Sequence, residues 1–196
     1  MRPSGPERSR QALAPDRPRG RRRAVFLDRD GVINRALVRD GKPCPPRCPS
    51  EFEILPGVAE ALAALHEAGF LLIVVTNQPD VARGTLSQGM VEDFHDHLGR
   101  CLPIDEFRTC YHDNRDACTC RKPRAGALLE AARLHDIDLE ASFMVGDRWR
   151  DTEAGQAAGC RTLFIDHGYD EPRPASFDHR VTSLREAANL ILKAET

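Results

Sequence analysis

Three short apolar runs, each broken off by polar side chains, constrain the fold of this chain more than any other feature. Ala24-Val25-Phe26-Leu27 ends at Asp28, Phe70-Leu71-Leu72-Ile73-Val74-Val75 at Thr76-Asn77-Gln78, and Ser142-Phe143-Met144-Val145 at Gly146-Asp147. Unalternated apolar runs of this length are what parallel strands show when both faces are covered. The stretches between them carry helical signals. Pro56 suits a helix start, and Val58, Leu62 and Leu65 recur at helical spacing up to Gly69. Further helices are expected at 87–100, 125–134, 152–158 with Gly159 closing it, and 184–194; strands are expected at 106–110 and 160–165. The segment 41–50 is proline-rich and reads as a long loop. Strands alternating with helices imply an α/β fold with a doubly wound parallel sheet. Right-handed crossovers would then bring Asp28, Thr76 and Asp147 to one edge, where open α/β sheets place ligands.

The residues gathered there suit chemistry on phosphate. In extended chain Asp28 and Asp30 point the same way and Arg29 the other, which gives two carboxylates for one pocket. One can attack phosphorus to form an aspartyl-phosphate. The other can protonate the leaving oxygen and then activate water. Gly31 permits a sharp turn after the strand. The Thr76 hydroxyl and the backbone N–H groups that follow can hold phosphate oxygens, and Arg121-Lys122-Pro123 offers two cations for the phosphoryl group in flight. Asp147 and Asp151 add hard oxygen ligands of the kind magnesium prefers.

Nucleophile strand, threonine strand, lysine and acidic strand, in that order, resemble the haloacid dehalogenase-like superfamily of phosphatases; the resemblance runs from Ala24 to about Ile165. It implies Asp28 as nucleophile, Asp30 as acid and base, and Thr76 and Lys122 as phosphoryl stabilisers. It also implies magnesium held by Asp28, the backbone carbonyl of Asp30 and Asp147, with Asp151 orienting Lys122 or a metal-bound water.

Cys110, His112, Cys118 and Cys120 offer three thiolates and an imidazole within eleven residues, directly before Arg121. Four such ligands without a carboxylate suit a closed, tetrahedral structural zinc, and the intervening 113–117 is too polar to hold itself by burial. Zinc would pin this loop and fix Arg121 and Lys122 over the phosphate. A C-x-H, C-x-C insertion ahead of R-K-P is similar to the D,D-heptose 1,7-bisphosphate and histidinol-phosphate phosphatases, both without a large cap domain. Asp28-Arg29-Asp30-Gly31-Val32-Ile33-Asn34 and Glu51-Phe52-Glu53-Ile54-Leu55-Pro56-Gly57-Val58 are closer to the heptose branch, whose synthesis role would be in lipopolysaccharide. The gap between His112 and Cys118 is equally familiar from the histidinol branch. Pro79-Asp80 departs from the Ser-Gly usual after T-N-Q, and proline removes a backbone donor there. The resemblance further implies that Arg39, in the loop 36–39, and Arg121 meet the sugar or a distal phosphate, with Asn77 and Gln78 on the substrate side of the threonine strand.

Composition bounds the alternatives. The chain has 196 residues, 41% of them apolar, enough for one core. Residues 1–23 hold eight Arg against Glu7 and Asp16 and no apolar run, so they read as a disordered tail; residues 24–196 form the catalytic domain and carry a formal −8 against −2 for the whole. No stretch resembles a secretory signal or the roughly 20 apolar residues of a span, so a soluble, cytoplasmic, monomeric enzyme acting on a small phosphorylated metabolite is expected. The acidic body disfavours docking of nucleic acid, against the alternative of a nucleic-acid 3′-phosphatase. A second alternative is a non-catalytic zinc-stabilised binding module. Cys101 and Cys160 are expected to be packed thiols, His95 and His97 to face solvent from a helix, and Cys44 with Cys48 to form no site. Trp149 either walls the pocket or packs beneath it.

Overall fold

A computed structural model describes residues 21–39 and 41–194. The elements are β1 (Ala24–Leu27), β2 (Leu37–Arg39), β3 (Lys42–Cys44), α1 (Val58–Glu67), β4 (Leu71–Asn77), α2 (Pro79–Ala82), α3 (Gln88–Cys101), β5 (Glu106–Cys110), α4 (Gly126–His135), β6 (Phe143–Gly146), α5 (Trp149–Ala158), β7 (Arg161–Ile165), β8 (His179–Val181) and α6 (Leu184–Lys193). Six strands make one sheet in the order β5-β4-β1-β6-β7-β8, every pair parallel. The chain leaves β1 to build β4 and β5 on one side, then crosses back to build β6 to β8 on the other. The carboxyl ends of β4, β1 and β6 therefore lie side by side at the point where strand order reverses.

Alternation along each strand feeds two cores. Val25 and Leu27 of β1, with Leu72, Val74 and Val145, pack beneath α1, α3 and α6. Ala24 and Phe26, with Leu71, Ile73, Val75 and Met144, pack beneath α4 and α5. All four β1 residues are inaccessible to solvent, and burying each large apolar side chain contributes about 1.5–3 kcal/mol. Helix α5 approaches the sheet closely at Gly155, where an added Cβ would lie 2.6 Å from Met144 Cβ and 2.9 Å from Thr162 Cγ2.

Several boundaries differ from those the sequence suggests. The loop 41–50 contains half of an antiparallel ribbon, β2 paired with β3, closed near Gly41 at φ +74°, a left-handed value that glycine adopts without strain. Helix α5 starts three residues before Thr152, because the Asp151 carboxylate accepts the Arg148 backbone N–H at 3.0 Å and caps the first turn. Strand β8 adds an edge that no apolar run announces. Arg22, placed by composition in the tail, donates its N–H to the Asp136 carbonyl and accepts from the Asp138 N–H; residues 1–20 of that expected tail lie outside the described residues. Cys160 is buried as expected, whereas Cys101, at the end of α3, is exposed. No helix among the described residues is long and apolar enough to cross a membrane.

Candidate active site

The β1 ladder continues one residue past the strand, where the Asp28 N–H donates to the Val145 carbonyl at 2.9 Å. The chain then turns: the N–H groups of Ile33 and Asn34 both donate to the Arg29 carbonyl, so strand alternation stops at Asp28. Asp28 and Asp30 still line one cleft of about 390 Å³, because the turn rather than an extended strand aims the second carboxylate. Gly31, at φ +88°, is required twice over, since a Cβ there would also collide with the Asp147 carboxylate.

Lys122 is the hub. Its buried ammonium donates to Asp28 Oδ1 at 2.8 Å and to the Val75 carbonyl at 2.6 Å, and pairs with Asp151 Oδ1 at 2.6 Å. Burial raises the Asp28 carboxyl to about 6 against the opposing pull of Lys122, while Asp151 and Asp30 add to the rise. Asn77, at the end of β4, fixes the Lys122 backbone from both sides: its amide donates to the Lys122 carbonyl at 3.0 Å and its oxygen accepts the Lys122 N–H at 3.1 Å. Thr76 is buried beside Asp28 and lines the same cleft. Gln78 is wholly buried and does not line the cleft; its amide donates to Asp30 Oδ2 at 2.8 Å and to Thr76 Oγ1 at 2.9 Å.

Asp30 is held first by Arg29, which alternation sends elsewhere. The Arg29 guanidinium is fully buried and folds back on its neighbour, with Nη2 3.0 Å from both Asp30 oxygens. Asn34 Nδ2 donates to Asp30 Oδ1 at 2.9 Å. Behind Arg29 stands His95, expected at the surface but buried, with Nε2 3.2 Å from Arg29 Nη1 and its ring stacked 4.6 Å from Phe107. Val91, Phe94, His95 and Leu98 form the buried stripe of α3, a spacing of i, i+3, i+4 and i+7 that marks one helix face. That spacing was the signal for His95. For Arg29 there was none.

Oxygen atoms of Asp28, Asp147 and Asp151 lie within 4.8 Å of one another. Lys122 compensates two of them. Both Asp147 oxygens are buried without a hydrogen-bond partner of normal geometry, although the Tyr169 phenol is close enough to feel its charge. Burial, with the Asp28 charge next, raises the Asp147 carboxyl well above the ordinary range. A buried carboxylate with two orphaned oxygens is costly unless a cation meets it, so the cluster fits a hard divalent ion such as magnesium. From the loop after β7, His167 Nε2 lies 2.8 Å from the Gly31 carbonyl, a second contact on the active-site turn that carried no motif.

At the end of β5 the soft donors converge. Cys110 Sγ is 3.7 Å from Cys118 Sγ and from His112 Nδ1, and Cys120 Sγ is 3.4 Å from the same nitrogen. The sulfurs are too far apart for a disulfide. The edges of a tetrahedron with zinc–sulfur bonds near 2.3 Å and a zinc–nitrogen bond near 2.0 Å are about 3.8 and 3.5 Å, so the donor set fits zinc. The loop aims Arg121: Nε donates to Asn114 Oδ1 at 2.9 Å and Nη1 to the His112 carbonyl at 3.2 Å. Arg121 lines the cleft. Arg39 does not; it turns to Glu51 Oε1 at 3.0 Å, because the β2–β3 ribbon directs it toward the 3₁₀ turn Pro49–Glu51.

Comparison with known proteins agrees with this geometry. The HAD-hydrolase-like family model matches residues 119–187. The chain is 35% identical over 152 residues to D-glycero-beta-D-manno-heptose-1,7-bisphosphate 7-phosphatase of Bordetella bronchiseptica, covering 74% of this chain and 80% of the relative. The chain belongs to the haloacid dehalogenase-like phosphatases. A Mycobacterium bovis relative, D-glycero-alpha-D-manno-heptose-1,7-bisphosphate 7-phosphatase, is 40% identical over 157 residues, covering 74% of this phosphatase and 80% of its own length. The crystal structure of the D,D-heptose 1,7-bisphosphate phosphatase from B. bronchiseptica, complexed with magnesium and phosphate, superposes with a TM-score of 0.72 and 29% identity, covering 88% of this phosphatase and 99% of that chain. This phosphatase is a hydrolase of phosphoric monoesters with a parallel α/β sheet and no large cap among the described residues.

Proposed function

We propose that this phosphatase removes the 7-phosphate from D-glycero-D-manno-heptose 1,7-bisphosphate. The observation that carries the reading is the relationship to heptose bisphosphate phosphatases at 35–40% identity over most of the chain, joined to a cleft in which Asp28, Asp30, Thr76 and Lys122 meet.

In the reading the geometry supports, Lys122 engages one Asp28 oxygen and leaves the other to attack phosphorus. The bond from phosphorus to the sugar oxygen breaks as the bond to Asp28 forms, and Asp30 gives its proton to the departing alkoxide. A water then attacks the aspartyl-phosphate, Asp30 takes the water's proton, and Asp28 is released with inorganic phosphate. Arg29, Asn34 and Gln78 fix the Asp30 carboxyl between these two duties. Thr76 and Lys122 stabilise the phosphoryl oxygens. Asp28, the Asp30 carbonyl and Asp147 would hold magnesium, which when bound neutralises phosphoryl charge. Cys110, His112, Cys118 and Cys120 would hold a structural zinc that keeps Arg121 and Lys122 in place, and Arg121 would meet the sugar or its second phosphate.

The relatives include enzymes named for each anomer, so the test compares kcat/KM on both anomers of the heptose bisphosphate with that on histidinol phosphate. A preference of about 100-fold for the heptose corresponds to about 2.7 kcal/mol of transition-state discrimination. The reverse preference would overturn the substrate, and undiminished phosphate release by Asp28→Asn would overturn the nucleophile.

A further inference from the structure

Charge in the cleft is not evenly compensated. Asp28 and Asp151 share Lys122. Asp80 is met by Arg83, which also holds Asp113. Glu171, on the loop after β7, is taken by Arg148 in a two-point contact. Two fixed guanidinium groups remain on the cleft wall, Arg121 and Arg150, and neither forms an ion pair with a carboxylate among the described residues. Lys42 and Arg47 also line the rim but are exposed and held by nothing comparable.

Arg150 is not a loose surface arginine. It sits in the first turn of α5, one residue before Asp151, with its guanidinium carbon 4.7 Å from the centroid of the Trp149 ring. Stacking of this kind orients the guanidinium plane and reduces the rotamer freedom that an anion would otherwise have to freeze. Trp149 does not line this cleft; its ring carries the Arg150 guanidinium instead. Burial and the Arg148 charge lower the Arg150 pKa, Arg121 adds to this, and Glu171 and Asp151 oppose it. Arg121 and Arg150 line one cleft without an ion-pair partner of their own among the described residues, so an anion seated there would meet two guanidinium groups that no carboxylate has claimed. In the reading above, other side chains hold the phosphoryl group under attack. Lys122 and Thr76 serve that group, whereas Arg121 is drawn aside by Asn114 and the His112 carbonyl.

We propose that Arg150, stacked on Trp149 and acting with Arg121, binds a second phosphate on the substrate, the one not cleaved, and so sets a preference for sugar bisphosphates over monophosphates. The inference rests on the substrate reading above and names a residue that enforces it.

The test measures kcat/KM for heptose 1,7-bisphosphate and for heptose 7-phosphate in the wild type, Arg150→Gln and Arg150→Lys. Loss of one charge-assisted fork should reduce the bisphosphate-to-monophosphate ratio in Arg150→Gln by about 10- to 100-fold, chiefly through KM, with Arg150→Lys in between. Equal losses on both substrates, or an unchanged ratio, would overturn the proposal while leaving the substrate reading intact. A second measurement is independent of that reading: inhibition of p-nitrophenyl phosphate hydrolysis by fructose 1,6-bisphosphate against fructose 6-phosphate. The bisphosphate should inhibit the wild type more strongly, and Arg150→Gln should erase the difference. Equal inhibition of the wild type by the two sugars would overturn the proposal. If the wild type ignores both heptoses yet shows this difference, the substrate reading fails and Arg150 stands.

Discussion

His95 makes the acid stability of this enzyme depend on one buried imidazole. Burial, and then the Arg29 charge 3.2 Å away, lower its pKa from 6.5 to about 4. The neutral ring is therefore the form the fold accepts, and the unfolded chain binds the extra proton first. Stability contributed in this way is fully present above pH 6.5 and is lost as pH falls toward 4. A 2.5-unit shift corresponds to about 3.4 kcal/mol when complete, and integration from pH 7.5 to 5.0 gives about 2 kcal/mol. The perturbation is His95→Gln, which keeps an acceptor for Arg29 and carries no charge. Urea unfolding at both pH values should show the wild type losing about 2 kcal/mol more than the variant over that interval. The variant should start lower at pH 7.5, having lost the stacking on Phe107. Parallel losses in the two proteins would refute the reasoning, because they would mean that His95 is protonated in the folded state as readily as in the unfolded chain.

Lys122→Met removes the cation shared by Asp28 and Asp151; breaking a buried pair from one side typically costs about 3–5 kcal/mol, and phosphate release should fall by at least about 10²- to 10³-fold. Wild-type turnover in a stably folded Lys122→Met would exclude the lysine from the phosphoryl site. Cys118→Ser should lower bound zinc and thermal stability together, read by metal analysis and by the melting curve; stoichiometric zinc in the variant would show that the ligand set is wrong.

The sheet was legible because its three central strands have no polar face. Runs such as Phe70 to Val75 can be satisfied only between two layers of helices, and the residues that end them then fall at one edge whatever the loops do. Helix α3 was legible from Ser87, whose hydroxyl accepts the Met90 N–H at 3.1 Å. The convergence of Cys110, His112, Cys118 and Cys120 was legible from ligand chemistry alone. The β2–β3 ribbon was passed over although Asp40-Gly41 is a hairpin signal, since prolines on both sides of Cys44 suggested a loop. Arg29 was beyond reach for a different reason. Strand alternation assigns side chains to faces only while the chain stays extended, and the turn that closes on the Arg29 carbonyl ends that rule one residue earlier than the sequence reveals. Tyr169, whose phenol lies near Asp147, and His167, which meets the Gly31 carbonyl, come from more than twenty residues away along the chain and depend on tertiary closure alone.

Gly155 ties a backbone contact on the far face of the sheet to the chemistry at its edge. Alanine ordinarily strengthens a helix interior by about 1 kcal/mol over glycine, so this position looks like an easy gain in stability. Here the methyl would push α5 away from Met144 and Thr162. The same helix carries Trp149, Arg150 and Asp151 in its first turn, and Asp151 reaches Lys122 across 2.6 Å. The clearance between one helix and one sheet thus works as a gauge block for the candidate site, and trading that glycine for a sturdier helix would move the partner of Lys122.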